Sequence, residues 1–350
     1  MSKKNVWFFL GIMLAIFTPV LSNAASVATE DVSYNLGAFG DINYATGNRE
    51  RKQNSFYLGK FDLYGTAAYE RMSFLTEITI EFEDAATEVE AERLWVGYTL
   101  NDLFIIRAGR HHASMGYWNR TYHHGRQLFT TVERPFVVNF EEDGGIIPMH
   151  IVGIEFEGTT TTELMKLKYE FQIGNGPRIT TEKKLGPNSA SDDNPSKQII
   201  LRLSGAPAML PGFTLGVFGT NYEVSPTGQQ AIEEKVAGLD LSYVHGGWEL
   251  LGEYYRLWNS DKGADLFYLQ AAYLLSNYSL TPYIRYESMN VENGDPYITA
   301  LGGRNNRGQE ILGVRYDINA RSSIKTQYRR DEEKGSDIKN VFEVQWAFGF

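Results

Sequence analysis

Large apolar residues alternate with polar or small ones along the last eleven residues of the chain, N-V-F-E-V-Q-W-A-F-G-F. One side of this stretch carries the large apolar side chains Phe342, Val344, Trp346, Phe348 and Phe350. The other side carries Glu343 and Gln345 together with an alanine and a glycine. A period of two predicts a β-strand, which here includes the final residue. The apolar face of such a strand packs on a core in a soluble protein and meets lipid in a membrane barrel.

The same alternation recurs along the chain. In the stretch 163–173, Leu167 and Tyr169 fall opposite Lys166 and Lys168. Sixteen strands are predicted from this pattern, at 31–41, 55–67, 70–82, 89–99, 103–110, 148–157, 163–173, 197–205, 212–222, 234–244, 247–257, 265–275, 278–288, 308–318, 321–330 and 339–350.

Long and short connections alternate between the predicted strands. Longer polar stretches follow the odd-numbered strands, and the longest of them runs over residues 111–147. Tight turns such as Asn101-Asp102 and Ser276-Asn277 follow the even-numbered strands. This asymmetry is typical of an antiparallel membrane barrel that has short turns at one end and long loops at the other. The even strand count places both termini at the short-turn end.

Charges on the presumed inner face separate two all-β architectures. A soluble barrel fills its interior with apolar side chains, whereas this inner face is repeatedly charged, for example at Lys168, Arg285 and Glu287. Removing so many charges from water carries a prohibitive free-energy cost. We therefore predict an all-β fold, a transmembrane antiparallel β-barrel of about 16 strands with a water-filled interior.

The first residues differ in character from the rest. Lys3 and Lys4 precede an apolar run over residues 6–16, and Ser22-Asn23-Ala24 offers small residues for cleavage. This predicts a signal peptide over residues 1–24 and a single barrel domain over 25–350. The alternative is a membrane anchor, but a spanning helix needs about 20 apolar residues. The chain has no cysteine, which excludes disulfides and thiolate metal sites, and its formal net charge of −10 disfavours nucleic-acid binding.

The alternation, the strand count, the terminal Phe350 and one very long third loop together resemble bacterial general and substrate-selective porins. The resemblance implies an outer-membrane location among lipid and lipopolysaccharide, a homotrimer, and a third loop folded into the lumen as a constriction. It also implies that Trp346, Phe348 and Phe350 form the signal that the barrel-assembly machinery recognises. The segment R-A-G-R-H-H-A-S-M-G-Y-W-N, residues 107–119, resembles phosphate-selective porins, although the inner face lacks the excess of Arg and Lys that phosphate selectivity implies.

The third loop, residues 111–147, is the most informative connection. Tyr117, Trp118, Phe129 and Phe140 make it too aromatic for a solvated linker, so we expect it to pack inside the barrel. Its charged residues would then set the field at the constriction; they are Arg120, Arg126, Glu133, Arg134, Glu141, Glu142 and Asp143. The alternative is an extracellular cap or a trimer contact with no role in permeation.

Basic residues on the predicted lumen wall are nearly balanced by acidic ones. The basic set is Lys60, Arg71, Arg107, Lys166, Lys168, Arg202, Arg285, Arg315, Lys325 and Arg329. These charges either create a transverse field across the pore or form cross-strand ion pairs that keep the wall hydrated. Neighbouring strands bring Arg315 and Lys325 together, so a local basic patch is predicted there and ion pairs elsewhere.

Five of the six histidines lie in or beside the third loop: His111, His112, His123, His124 and His150. Histidines near carboxylates could bind zinc or another divalent ion. However, adjacent histidines on a strand point to opposite faces, and no H-E-x-x-H spacing occurs. We therefore predict ordinary hydrogen-bonded histidines, no metal site and no cofactor.

The sequence lacks the G-x-S-x-G, P-loop and G-x-G-x-x-G motifs, so no enzymatic activity is predicted. The predicted function is an outer-membrane porin, a water-filled channel for passive diffusion of small hydrophilic solutes or ions. The alternative is a surface barrel plugged by its third loop that acts as an adhesin or receptor. Ion conductance distinguishes these two functions.

Overall fold

A computed structural model describes residues 32–47, 54–82, 87–123, 125–186, 191–192, 194–226 and 230–350. The predicted signal peptide, residues 1–24, lies outside the described residues. No helix in the described ranges is long and apolar enough to cross a membrane.

Sixteen long antiparallel strands close into one barrel, which confirms the predicted fold class. The barrel strands are β1 Ser33–Gly47, β2 Ser55–Tyr69, β3 Met72–Phe82, β4 Thr87–Asn101, β5 Phe104–His112, β6 His150–Thr161, β7 Met165–Asn175, β10 Lys197–Pro207, β11 Phe213–Val224, β12 Ile232–His245, β13 Trp248–Asn259, β14 Lys262–Tyr273, β15 Leu280–Val291, β16 Arg307–Asn319, β17 Ser322–Glu333 and β18 Lys339–Gly349. The short strands β8 Arg178–Ile179 and β9 Leu185–Gly186 pair only with each other. Within the described ranges the short α-helices are α1 Tyr117–Thr121 and α2 Pro296–Ala300, and 3-10 turns span Phe136–Val138 and Ser276–Tyr278.

The barrel closes where the first strand pairs with the last. Strand β1 runs antiparallel to β18, with Ile42 opposite Trp346. Strand β18 ends at Gly349, one residue earlier than predicted. The backbone N–H of Phe350 nevertheless donates to the carbonyl of Ala38 at 2.7 Å and its carbonyl accepts from the N–H of Ala38 at 3.1 Å. The terminal residue therefore still belongs to the hydrogen-bonded seam.

The two faces of the wall have opposite chemistry, as the alternation predicted. On β18, Phe342 and Trp346 are 44% and 52% exposed, whereas Glu343 and Gln345 are fully buried. The apolar side chains therefore point out of the barrel and the polar ones point in. An outward apolar surface of this kind is the side that meets lipid in membrane barrels.

The first strand extends further than the sequence pattern predicted. Residues 42–47 were expected to begin a loop, but they continue β1. Asn43 and Ala45 are buried on the inner side while Ile42 is exposed on the outer side. The alternation thus continues past residue 41, although small and polar inner residues weaken it.

Strand β4 contains a β-bulge at Glu92. Glu77 of β3 pairs with Arg93, and the next residue, Ile78, pairs with Ala91, so Glu92 has no partner in the ladder. A bulge changes the direction in which the extra side chain points. This places the buried Glu92 side chain beside the start of the third loop.

Tight turns join strands at one end of the barrel. Gly246 and Gly247 connect β12 to β13, with φ values of 61° and 87°. Positive φ at both central positions suits glycine and matches the twist of a two-residue hairpin. The opposite end carries the long connections, including the loop between β5 and β6.

Candidate functional site in the third loop and inner wall

The third loop connects His112 to His150 and therefore spans residues 113–149, two residues later than predicted. Its apolar centre is Trp118, which is fully buried. The Trp118 ring lies 4.9 Å from the ring of Phe129 and 6.1 Å from the ring of Tyr268 on β14. Aromatic packing of this kind holds the loop to itself and to the barrel wall.

Arg285 of β15 binds the backbone of the third loop. Its Nη1 donates to the hydroxyl of Thr131 and the carbonyl of Glu133, both at 2.9 Å. Its Nη2 donates to the carbonyl of Arg134 at 3.2 Å. The Nε of the same guanidinium pairs with Glu287 at 2.8 Å. One wall residue therefore binds three loop positions between residues 131 and 134.

Arg315 and Lys325 face each other across β16 and β17, as the sequence predicted. Arg315 Nη1 donates to the carbonyl of Phe129 at 2.5 Å. Lys325 Nζ donates to the carbonyl of Thr131 at 3.0 Å and also to that of Arg126. This basic pair therefore binds loop carbonyls, and the local positive charge is partly used to hold the loop.

Further contacts reach the loop from strands around the barrel. They are Trp118 N to Glu253 Oε1 at 2.7 Å, Arg120 Nε to Glu170 at 2.9 Å, Arg126 to Asp41 at 3.3 Å, Arg329 to Glu133 at 3.1 Å, and Gln345 Nε2 to the carbonyl of Val132 at 3.1 Å. The wall residues belong to β13, β7, β1, β17 and β18. Polar contacts thus hold the loop from several sides of the barrel.

The charged residues of the loop differ in their access to water. Arg134 and Glu141 are buried, whereas Asp143 is exposed. Arg134 lies 3.6 Å over the ring of Phe140. Burial lowers the pKa of the Arg134 guanidinium to about 10, against the opposing effect of Glu141 and Glu142, so the group stays charged at neutral pH. Asp143 is exposed and Arg120, Arg126, Glu133 and Glu142 are half-buried, so these five can act on a passing ion more directly than the buried pair.

Other wall charges form ion pairs with each other. Arg107 binds Glu155 and Glu157, each at 2.6 Å. Arg202 binds Asp240 at 2.7 Å and Glu170 at 3.0 Å. Lys168 also reaches Glu157, at 2.8 Å, and Lys60 reaches Glu142 of the loop at 3.4 Å. This arrangement agrees with the ion-pair interpretation of the wall.

Arg71 was predicted to lie on the lumen wall, and this prediction was wrong. Arg71 lies in the turn between β2 and β3, is exposed, and donates to the carbonyl of Leu100 at 3.5 Å. The predicted strand began at residue 70, but Glu70 takes a left-handed turn conformation with φ 51°. Lys166 does lie on the Lys168 side of β7, although it is exposed near the end of the strand.

Apolar residues on the inner wall were not predicted. Tyr222, Tyr255 and Tyr268 are fully buried and belong to one apolar cluster with the third loop. The Tyr222 hydroxyl donates to the hydroxyl of Tyr297 on α2 at 3.0 Å, and Tyr297 donates to the carbonyl of Ile146 at 2.9 Å. A stretch of inner-facing aromatic residues on β11, β13 and β14 therefore marks where the loops pack.

Three histidines meet beside the bulge of β4. The Nε2 atoms of His123 and His150 are 3.1 Å apart, and both approach Glu92 Oε1. His112 Nε2 lies 3.8 Å from the same oxygen. His111 is separate and stacks on Trp95 at 6.3 Å, while His124 lies outside the described residues. No sequence motif predicts this group, because its members come from four separate segments.

Comparisons with known proteins identify the fold. No family model matches the sequence, and no curated protein matches it significantly. Similar solved structures include an anion-selective porin from Comamonas acidovorans, with TM-score 0.61, 14% identity, and 91% of this chain and 100% of that chain covered. The outer membrane channel DcaP of Acinetobacter baumannii matches with TM-score 0.61 and 11% identity over 92% of this chain and 99% of that chain. OmpT of Vibrio cholerae, in a trimer form, matches with TM-score 0.58 and 11% identity over 92% of this chain and 100% of that chain. At such low identity the likeness shows the fold, a sixteen-stranded porin barrel.

Proposed function

We propose that this porin-fold barrel is an outer-membrane channel for passive diffusion of small hydrophilic solutes or ions. The observation that carries the proposal is the opposite chemistry of the two faces of the wall. Outer residues such as Trp346 and Ile284 are apolar and exposed, whereas Arg285 and Glu343 on the inner side are charged. A charged inner wall inside an apolar belt is typical of a water-filled membrane barrel.

The proposed mechanism is sieving by pore radius, modified by the charges that water can reach. It needs no covalent step and no cofactor, and we propose no enzymatic activity. The third loop would form the constriction, because the wall residues Arg285, Arg315 and Lys325 bind its backbone carbonyls inside the barrel. Arg120, Arg126, Glu133, Glu142 and Asp143 would set the local field, with Arg134 and Glu141 serving to support the loop.

The first test is single-channel recording of the refolded protein in planar lipid bilayers, with a salt gradient across the membrane. We expect steady, stepwise openings. A folded barrel, verified by its heat-dependent mobility in gel electrophoresis, that never conducts would contradict the proposal. Such a result would favour a barrel plugged by its third loop, acting as an adhesin or receptor.

Replacing Asp143 by asparagine should shift the reversal potential in a salt gradient toward anion preference. Asp143 is the exposed carboxylate of the loop, and a carboxylate at a narrow point concentrates cations and repels anions. The matched control is Asp337→Asn, which removes the same charge from an exposed connection between β17 and β18. Equal shifts in both variants would place the controlling field outside the third loop.

We also propose that residues 1–24 are a cleaved signal peptide and that Trp346, Phe348 and Phe350 are read by the barrel-assembly machinery. An outer-membrane barrel would contact lipid and lipopolysaccharide. A homotrimer is supported by the trimer form of the similar OmpT barrel. Analytical ultracentrifugation of the protein in detergent tests the trimer, and a monomer at all concentrations would contradict it.

A further inference from the structure

Four potential metal ligands converge where the third loop leaves and rejoins the barrel wall. They are Glu92 at the bulge of β4, His112 at the end of β5, His123 in the loop and His150 at the start of β6. Each offers one ligand atom, and these four atoms lie within 4.8 Å of one another. Glu92, His123 and His150 are almost completely buried.

Asn119 determines which ring nitrogen of His123 carries the proton. The Asn119 Nδ2 donates to the carbonyls of Ala113 at 3.0 Å and Met149 at 2.9 Å, which turns its Oδ1 toward His123. His123 Nδ1 lies 2.7 Å from that oxygen. Because an amide oxygen can only accept, the Nδ1 of His123 must donate. In a neutral imidazole this leaves the lone pair on Nε2.

Glu141 determines in the same way which ring nitrogen of His150 carries the proton. Glu141 Oε1 accepts from the backbone N–H of Met149 at 2.6 Å and of His150 at 3.2 Å. Its second oxygen lies 3.2 Å from His150 Nδ1. A carboxylate in this position accepts the Nδ1 proton, which in a neutral imidazole again leaves the lone pair on Nε2. Histidines that bind metals are commonly oriented by such a partner on the other ring nitrogen.

Two Nε2 lone pairs and a carboxylate oxygen therefore face one another. The Nε2 atoms of His123 and His150 are 3.1 Å apart, and His123 Nε2 is 2.5 Å from Glu92 Oε1. Three electron-rich atoms at these distances repel each other unless a metal cation or a proton lies between them. His112 adds a third imidazole, because its buried Nε2 has no hydrogen-bond partner among the described residues and lies 3.8 Å from Glu92 Oε1.

We propose that Glu92, His112, His123 and His150 bind a divalent transition-metal ion of the zinc class. Imidazole nitrogens and carboxylate oxygens are ligands that Zn²⁺ accepts, and these four residues together would fill a closed tetrahedral site. A tetrahedral site with metal–nitrogen bonds of about 2.0–2.1 Å separates its ligand atoms by roughly 3.3 Å, which small side-chain rotations from the observed distances can reach. This departs from the sequence-based prediction of no metal site, which considered only neighbouring histidines.

The proposed ion would join β4, β5, β6 and the third loop at a single point. His112 and His150 are cross-strand partners at the base of the loop, and His123 lies two residues after the end of helix α1. The ion would therefore fasten the loop base to the wall. The binding site itself does not depend on whether the barrel conducts, so its test is independent of the channel proposal.

The test uses the full-length barrel, refolded without an affinity tag and stripped with a chelator, and Zn²⁺ as the probe. Isothermal titration calorimetry should show about one equivalent bound per chain, and X-ray absorption should show imidazole nitrogens at about 2.0–2.1 Å. His123→Gln should weaken binding by more than about 100-fold, and Glu141→Gln by about 10–100-fold, as expected for an outer partner. The control His245→Gln removes an exposed histidine from the β12–β13 turn and should change nothing.

Two results would overturn the proposal. One is no uptake of Zn²⁺ by the unaltered barrel, in which case a shared proton takes the place of the ion. The other is undiminished uptake by a folded His123→Gln variant. If that variant does not fold, His112→Gln supplies the same comparison, because no hydrogen bond to its Nε2 is lost.

Discussion

The double variant R285M/E287Q is expected to show single-channel conductance that is severalfold larger and noisier than that of the unaltered barrel. Arg285 holds the loop at Thr131, Glu133 and Arg134. Methionine keeps the bulk of the side chain but cannot donate, so the loop loses three hydrogen bonds to β15. Changing Glu287 as well avoids leaving a buried carboxylate without its arginine. Planar-bilayer recording measures the effect.

The matched control is Arg330→Met, which removes an arginine from the outer side of β17. Arg330 pairs with Glu310 at 3.4 Å and with Glu332 at 3.1 Å, so its ion pairs lie on the wall and not with the described residues of the third loop. Its conductance should equal that of the unaltered barrel. If R285M/E287Q folds and conducts normally, the third loop does not determine the pore radius, and the constriction lies elsewhere.

Replacing Arg202 by methionine should lower the free energy of unfolding by about 3–5 kcal/mol, the cost of leaving buried charges unpaired. Arg202 is 1% exposed. It binds Asp240 through Nε at 3.0 Å and Nη2 at 2.7 Å, and it binds Glu170 through Nη1. Asp240 would then lie buried on the inner wall with no arginine beside it. Urea unfolding in detergent micelles measures the loss.

Arg330→Met is the control for this measurement too, because an exposed ion pair contributes less than about 1 kcal/mol to the free energy of unfolding. The Arg330 side chain is 38% exposed. A loss as small in R202M as in R330M would show that water reaches Asp240 and Glu170 freely. The inner wall would then be stabilised by hydration rather than by its ion pairs.

The strands could be predicted because each face of the wall meets a different environment. The neighbours Phe342 and Glu343 show this: the apolar one is exposed on the outer face and the charged one is buried on the inner face. Ile284 and Arg285 show the same contrast. The pattern fails where a side chain is compatible with either face of the wall or with a turn. Small inner residues concealed the end of β1, and a turn residue, Glu70, was taken as the start of a strand.

The path of the third loop could not be predicted in the same way. Its position depends on pairs such as Arg285 with Glu133 and Trp118 with Tyr268, which are more than a hundred residues apart in the chain. The histidine cluster depends on the β5–β6 register, which makes His112 the partner of His150. It depends also on the bulge at Glu92. Local alternation contains none of this information.

The Gln345 side chain links three segments that are far apart in the chain. Its Nε2 donates to Asp41 at 3.2 Å and Asn43 at 3.1 Å on the first strand, and to the carbonyl of Val132 at 3.1 Å in the third loop. One amide thus joins the two ends of the chain to its middle. Contacts over such separations form slowly, because the intervening chain must first be ordered. The hydrogen bond from Gln345 to Val132 can form only once the last strand is in place, so we expect loop docking to be completed together with barrel closure.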